Sequence, residues 1–290
     1  MEPQTGFLRH IRFAQRYNRS LFMPFVIAGR TVGSVRREVG LLIGQEAGFY
    51  VRGDELHLQT NPDTNEHRTR ALAQASVLLS NNYQVGLTRE LYPVVEAWGE
   101  ESLATIDRAA IPWFGTMGVG VHVNGFVRGA DGALSLWVGK RSASRRIDPA
   151  KLDNVIGGGH PLGYTLQENL EKEGMEEAGF PPAIMARAKP VGAIHYQVEM
   201  MKGLRNDLLF MFDLELQPHE LPHNTDGEVE SFTLMPSAEV MRLVHDTDAF
   251  KFNCNLVIID FLLRHKILTP DHPDFPVVSQ AMAEVRAKGV

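Results

Sequence analysis

Three glutamates in one short stretch offer the most direct chemistry: Glu173, Glu176 and Glu177. They belong to a run that opens on Gly157, Gly158 and Gly159 and closes on Gly179 and Phe180. Thr165 followed by Glu168 is the residue pair of a capping box, so a helix is expected to start there. Gly179 suits the left-handed position just past a helix end, so the helix is expected to stop after Ala178. At about 3.6 residues per turn, Leu166, Leu170 and Gly174 form one packed stripe, and Glu173 and Glu177 fall on it. Glu176 lies beside that stripe, and Glu168, Lys172 and Glu176 are spaced as an outer i,i+4 ladder. A glutamate-rich helix is ordinarily a solvated acidic face. Here two carboxylates turn inward, near a helix C-terminus whose dipole disfavours negative charge. Burying like charges is costly unless something compensates them. A hard divalent cation, Mg²⁺ or Mn²⁺, held on carboxylate oxygens would do so.

The preceding segment, Gly157 to Gly163, reads as a loop whose glycines let backbone groups approach a metal or a phosphate. It half-matches a Walker A loop, but Tyr164 stands where the phosphate-binding lysine is required, so that reading is rejected. Lys140, Arg141, Arg145 and Arg146 form a basic loop that could meet a diphosphate, although such loops are commonly only solvated. His122 and His160 are lone histidines, more in keeping with structure than with ligation. Trp113, Phe126 and Trp137 read as core, and Cys254, inside an apolar helix, as packing.

These residues need elements to position them. Two halves with different patterning are expected, a small α/β domain over residues 1–110 and a strand-rich domain over 111–290. In the first, Phe22 to Ile27 and Thr31 to Val35 read as strands about a turn at Ala28-Gly29-Arg30. Phe49 to Val51 and Leu56 to Leu58 flank a turn at Arg52-Gly53-Asp54, and His67 to Leu79 reads as a helix. In the second, Gly118 to Val127, Leu134 to Val138, Ala193 to Glu199, Leu208 to Leu216 and Ser231 to Leu234 read as strands. Helices are expected over Thr165–Ala178, Ser237–Val244 and Asn253–His265.

Composition narrows the function. The chain has 290 residues, 44% apolar and 22% charged, enough for a folded core. A net charge of −6 argues against a dedicated nucleic-acid binder, which would need a basic face. The single cysteine rules out an internal disulfide framework and a multi-cysteine zinc site, and suits a reducing compartment. The first eighteen residues lack the apolar core of a signal peptide, though their arginines keep a transit peptide open as an alternative. The apolar run Leu256 to Leu263 is broken by Asp260 and is too short to span a bilayer. A cytoplasmic protein with no membrane partner is expected.

Taken together, the glycine run and the helix resemble the Nudix box, written G-x5-E-x7-R-E-U-x-E-E-x-G-U. Glu173, Glu176, Glu177, Gly179 and Phe180 match in place, whereas Tyr164, Lys172 and Gly174 depart from it. Further stretches are similar to one branch of that family, the Nudix domain joined to some fungal thiamine pyrophosphokinases and its plant and bacterial relatives. These are Gly120 to Gly125, Leu136 to Ser142, Lys151 to Asn154, Asp226 to Phe232 and Phe250 to Cys254. Pro24 to Gly29 and Arg89 to Pro93 are similar to the extra N-terminal domain of those proteins. The resemblance implies an α/β/α sandwich with a mixed sheet, preceded by a small α/β domain. It implies metal-dependent hydrolysis of a small-molecule diphosphate, with damaged (oxo- or oxy-) thiamine diphosphate as substrate. It implies metal ligation by Glu173, Glu177 and the Gly157 carbonyl, with Glu176 as ligand or base. It also implies a further carboxylate from a later loop, Glu228 before Glu230 or Glu220, and phosphate or loop contacts from Arg141, Lys151, Asn154 and Gly158. The residues leave open a nucleoside diphosphate derivative as substrate, a non-catalytic diphosphate-binding module, and the oligomeric state, a homodimer included.

Overall fold

The structure, a computed structural model, describes residues 6–145, 147–201 and 203–287, so Arg146 of the basic loop lies outside the described residues. The elements run in the order α1 (Leu8–Ala14), β1 (Phe22–Ile27), β2 (Arg30–Arg36), α2 (Arg37–Ile43), β3 (Phe49–Arg52), β4 (Glu55–Leu58), α3 (Asn65–Tyr83), β5 (Leu91–Val94), β6 (Ala104–Asp107) and α4 (Ile111–Phe114). They continue with β7 (Met117–Arg128), β8 (Leu134–Arg141), β9 (Leu152–Asp153), β10 (Ile156–Gly159), α5 (Leu166–Ala178), α6 (Pro182–Met185), β11 (Lys189–Met200), β12 (Gly203–Glu215), β13 (Val229–Pro236), α7 (Ser237–Asp246), α8 (Phe252–Arg264) and α9 (Phe275–Val285).

The large sheet has the path β11-β12-β7-β8-β13. Its β12–β7 pair is parallel and its other pairs antiparallel, so it is a mixed sheet. Strand alternation divides its two faces. Val119, Val121 and Val123 of β7 join Leu208, Phe210 and Phe212 of β12 against α5, while Leu209 and Met211 turn to α1, α8 and α9. Helices cover both faces, which is the α/β/α sandwich expected from the sequence. The β7–β8 hairpin pairs only over residues 126–128 and 134–136 and then splays. Strands β9 and β10 fill the fork, β9 on β8 and β10 on β7. The glycines expected to form a loop are therefore a strand, Gly157 opposite His122 and Gly159 opposite Gly120.

The N-terminal part has its own sheet, β2-β1-β4-β3, and the separate β5–β6 hairpin, with Phe25, Leu56, Leu72 and Phe114 in their shared core. Here α1 differs from the sequence reading. Although it precedes every strand of the first half, Phe7, Ile11 and Ala14 are buried with α8 and α9 in the core of the large sheet.

Helix α5 forms as its caps dictate. The Thr165 hydroxyl accepts from the Glu168 N–H at 3.2 Å, and the Glu168 carboxylate accepts from the Thr165 N–H at 2.8 Å. Gly179 ends the helix at φ 65°, and the Phe180 N–H donates back to the Gly174 carbonyl at 3.0 Å. Glu168 is thereby used as a cap and not in the outer ladder, where only Lys172 and Glu176 pair, at 2.7 Å. Gly174, one of the departures from the box, has a packing reason: a side chain there would overlap Met185 of α6.

Candidate active site

Helix α5 presents its inner face to the glycine strand β10. Glu173 is buried, 8% exposed, and packs so closely on Gly158 that a methyl group at residue 158 would overlap its carboxylate. Glu177 is half-buried and accepts a 2.7 Å hydrogen bond from the Gly157 N–H. Glu176 faces outward with Lys172, whose ammonium also donates to Glu173 at 3.0 Å. The structure thus brings together Gly157, Gly158, Glu173 and Glu177, with Glu176 at the rim.

The electrostatics carry the conflict expected of an acidic helix turned inward. Burial pushes the Glu177 carboxyl up to about 7, and neighbouring Glu173 pushes the same way against the Gly157 N–H. Glu173 is also raised by burial, although Lys172 opposes that shift. Lys172 offsets the burial of Glu173 only in part, and Glu177 has the Gly157 N–H as its hydrogen-bond partner. Two carboxylates and a close backbone are a donor set that fits a hard divalent cation.

The late loop closes on the C-terminal end of α5. The His223 N–H donates to the Ala178 carbonyl at 3.0 Å, and the Thr225 hydroxyl donates to the Met175 carbonyl at 3.1 Å. This places Asp226 where burial raises its carboxyl, Glu176 adds to the rise, and Arg145 and Lys172 oppose it. Asp226 was visible only as part of the Asp226 to Phe232 motif. Glu228 is ion-paired with Arg145, Glu230 with Lys140 at 2.8 Å, and Glu220 with Arg187 at 2.6 Å.

Other residues singled out from the sequence sit behind the glycine strand. Asp153 accepts from Arg141 at 2.8 Å and from the Asn154 N–H at 2.9 Å, and lies 3.5 Å from the Lys251 ammonium. Burial opposes its charge, but Lys251, His122, Cys254 and Arg141 overcome that and hold the carboxyl down at about 2. Asn154 bonds His122 at 2.9 Å and donates to Asn124 at 3.0 Å. Burial, aided by Lys251, lowers His122 to about 4, so this ring is neutral at physiological pH. Lys151 donates to the Asp248 carbonyl on the α7–α8 connection and is not brought to the carboxylates. The possible ligand atoms of His122, Asp153 and Cys254 lie within 4.8 Å of one another. A cation among them would meet Arg141 and Lys251, which already neutralise Asp153, so this cluster is better read as a polar brace beneath β10.

The N-terminal part also reaches this strand, which no spacing in the sequence announced. The Leu162 N–H donates to the Leu91 carbonyl of β5 at 2.8 Å. Tyr92 is buried so tightly on Gly159 that a side chain there would overlap its hydroxyl, and the Arg108 Cζ lies 3.4 Å from the same point. Trp98 packs edge-on to His160 at 5.5 Å and against Phe210 at 5.1 Å. A separate surface cavity of about 800 Å³, lined by Tyr50, Asp63, His67 and Arg70, belongs to the N-terminal part and includes none of the carboxylates of α5.

The chain is similar over most of its length to known proteins. The chain is 39% identical over 280 residues to Nudix hydrolase 24, chloroplastic, of Arabidopsis thaliana, covering 93% of this chain and 76% of that protein. It is 38% identical over 280 residues to Nudix hydrolase 20, chloroplastic, of the same plant, covering 92% and 75%. Among solved structures, DR0079 from Deinococcus radiodurans matches 58% of this chain and 97% of its own at 21% identity, with a TM-score of 0.43. Residues 6–118 match a family described as a domain of unknown function (DUF4743). The chain belongs to the Nudix hydrolase family and is a hydrolase. Among the described residues no helix is long and apolar enough to cross a membrane.

Proposed function

We propose that the protein is a divalent-metal-dependent pyrophosphohydrolase that cleaves damaged thiamine diphosphate, the oxo or oxy forms, to the monophosphate and phosphate. The observation that carries the chemistry is the inward pair Glu173 and Glu177, packed on Gly158 and Gly157, with both carboxyls raised by burial. Glu173, Glu177 and the Gly157 carbonyl are the proposed holders of Mg²⁺ or Mn²⁺. The bound ion would lower the pKa of water and neutralise charge at phosphorus. Glu176, at the rim, is the proposed ligand or base for the attacking water, and the Lys172 ammonium donates to it at 2.7 Å. Glu228 is the proposed late-loop carboxylate, with Asp226 beside it on the same loop. Gly158 is proposed to lie against the phosphates, with Arg141 and Asn154 shaping the strand behind it.

The thiamine moiety rests on the family-branch resemblance of Gly120 to Gly125 and Asp226 to Phe232, and the chemistry does not depend on it. We place two domains about the expected boundary at residues 110–111, with α1 packed in the core of the second and α4 in the core of the first. The single cysteine supports the cytoplasm as compartment, although the names of both plant relatives specify the chloroplast. The test is kcat/KM with Mg²⁺ over thiamine, oxythiamine and oxothiamine diphosphates, ADP-ribose, and nucleoside di- and triphosphates. Preference for the altered thiamine diphosphates, with monophosphate and phosphate as products, is the expected result. Turnover of nucleotides alone would discard the thiamine assignment and keep the hydrolase.

A further inference from the structure

Arg108 lies far in sequence from the glutamates, yet its guanidinium stands over the glycine strand they face. It follows β6, and its N–H donates to the Glu90 carbonyl at 2.8 Å while its guanidinium donates to the Glu90 carboxylate at 2.8 Å. The hairpin that carries it is fixed to the second half by the Leu162–Leu91 bond and by Tyr92 on Gly159. Its side chain is 48% exposed, so the charge is presented to solvent beside the site rather than spent within the core. A guanidinium offers several fixed donors, the geometry that matches phosphate oxygens.

A second arginine approaches from the other half. Arg145, on the β8–β9 connection, pairs with Glu228. Glu228 lies on the late loop that closes on the C-terminal end of α5 through the Thr225 and His223 bonds. Each arginine is held by one carboxylate, Arg108 by Glu90 and Arg145 by Glu228, which leaves further guanidinium donors for another anion. A diphosphate could use those donors, since its oxygens can face a cation held by the glutamates and also face a guanidinium group.

We propose that Arg108, supplied by the N-terminal hairpin, grips the diphosphate of the substrate, with Arg145 of the β8–β9 connection as a second donor, so that the site is built from both halves of the chain. This assignment rests on the diphosphate chemistry proposed above but not on the thiamine moiety. It gives the N-terminal part a direct role in binding. Gly159 must lack a side chain because one there would push Tyr92, which fixes this hairpin, off the strand.

The test is binding of methylenediphosphonate, a non-hydrolysable diphosphate, by calorimetry with Mg²⁺, on the full chain and on Arg108→Ala and Arg108→Lys. Arg70→Ala, on an exposed face of α3, is the control for lost charge. Thermal midpoints check that each variant folds. Arg108→Ala should weaken binding roughly tenfold or more, as expected for losing charge-assisted hydrogen bonds. Arg108→Lys should retain part of the affinity, Arg70→Ala all of it, and KM should rise more than kcat falls. A folded Arg108→Ala that binds as the wild type does would overturn the assignment. If alanine prevents folding, a folded lysine variant with wild-type affinity overturns it equally, because the bidentate fork would then be dispensable. A wild type that binds the diphosphonate but ignores every thiamine compound removes only the substrate. A wild type that binds no diphosphonate removes the diphosphate chemistry, and the grip with it.

Discussion

Glu177→Gln should abolish phosphate release, by a factor on the order of 10³ or more, while the melting temperature stays the same or rises slightly. Glutamine keeps the size of the side chain, and its carbonyl oxygen can still accept from the Gly157 N–H. What it removes is the negative charge proposed to hold a cation. The sign of the stability change follows from the raised pKa of about 7. A carboxyl whose folded pKa lies above its unfolded value favours the fold most when protonated, and that contribution is lost as pH rises through about 7. At pH 8 without metal, the charged side chain is therefore a burden beside Glu173, and the neutral amide relieves it. Activity and melting temperature measured on the same preparation check both parts. Retained activity would sink the proposed role of Glu177, and a steep fall in melting temperature would make the residue structural.

Asp153→Ala should have the opposite profile, costing about 3–5 kcal/mol of stability. The side chain is 8% exposed and answers Arg141 and Lys251, whose side chains are only 10% and 11% exposed. Its removal leaves two buried cations without their counter-charge and the Asn154 N–H without its acceptor. The same network holds β9 and, through Asn154, His122 of β7, so β10 would lose its support on the side away from α5. Because the Asp153 carboxyl is depressed to about 2, its contribution is present above the ordinary carboxylate range and fades only as pH falls through about 2. Urea midpoints at neutral pH measure the loss, and a change below about 1 kcal/mol would contradict this account of the brace.

What was legible in the sequence was local. Thr165 with Glu168 and the terminal Gly179 set the bounds of α5, and its periodicity alone turned Glu173 and Glu177 inward. The strands of the large sheet were readable because their apolar residues alternate, as in β7 and β12. The glycine strand was not, since three glycines have little strand propensity of their own. They pair only because the β7–β8 hairpin splays and leaves an edge to fill. The docking of α1 on α8 and α9 was hidden for a similar reason, as a seven-residue helix with scattered arginines shows no partner in its pattern. Arg108 and Tyr92 are tertiary neighbours of Gly159, and nothing in the spacing of either residue predicts that meeting. Arg89 to Pro93 stood out as a motif, but its role emerged only from where the hairpin docks.

The most direct measurement of the central claim is Mn²⁺ binding to metal-free protein, with free Mn²⁺ read by electron paramagnetic resonance at ~pH 6 and ~pH 8. The account predicts that binding strengthens roughly tenfold over that interval, because the Glu177 carboxyl must first release its proton, and that Glu177→Gln removes the step. Binding that is equally tight at both pH values, or unchanged in Glu177→Gln, would contradict the assignment of this helix face as the metal site.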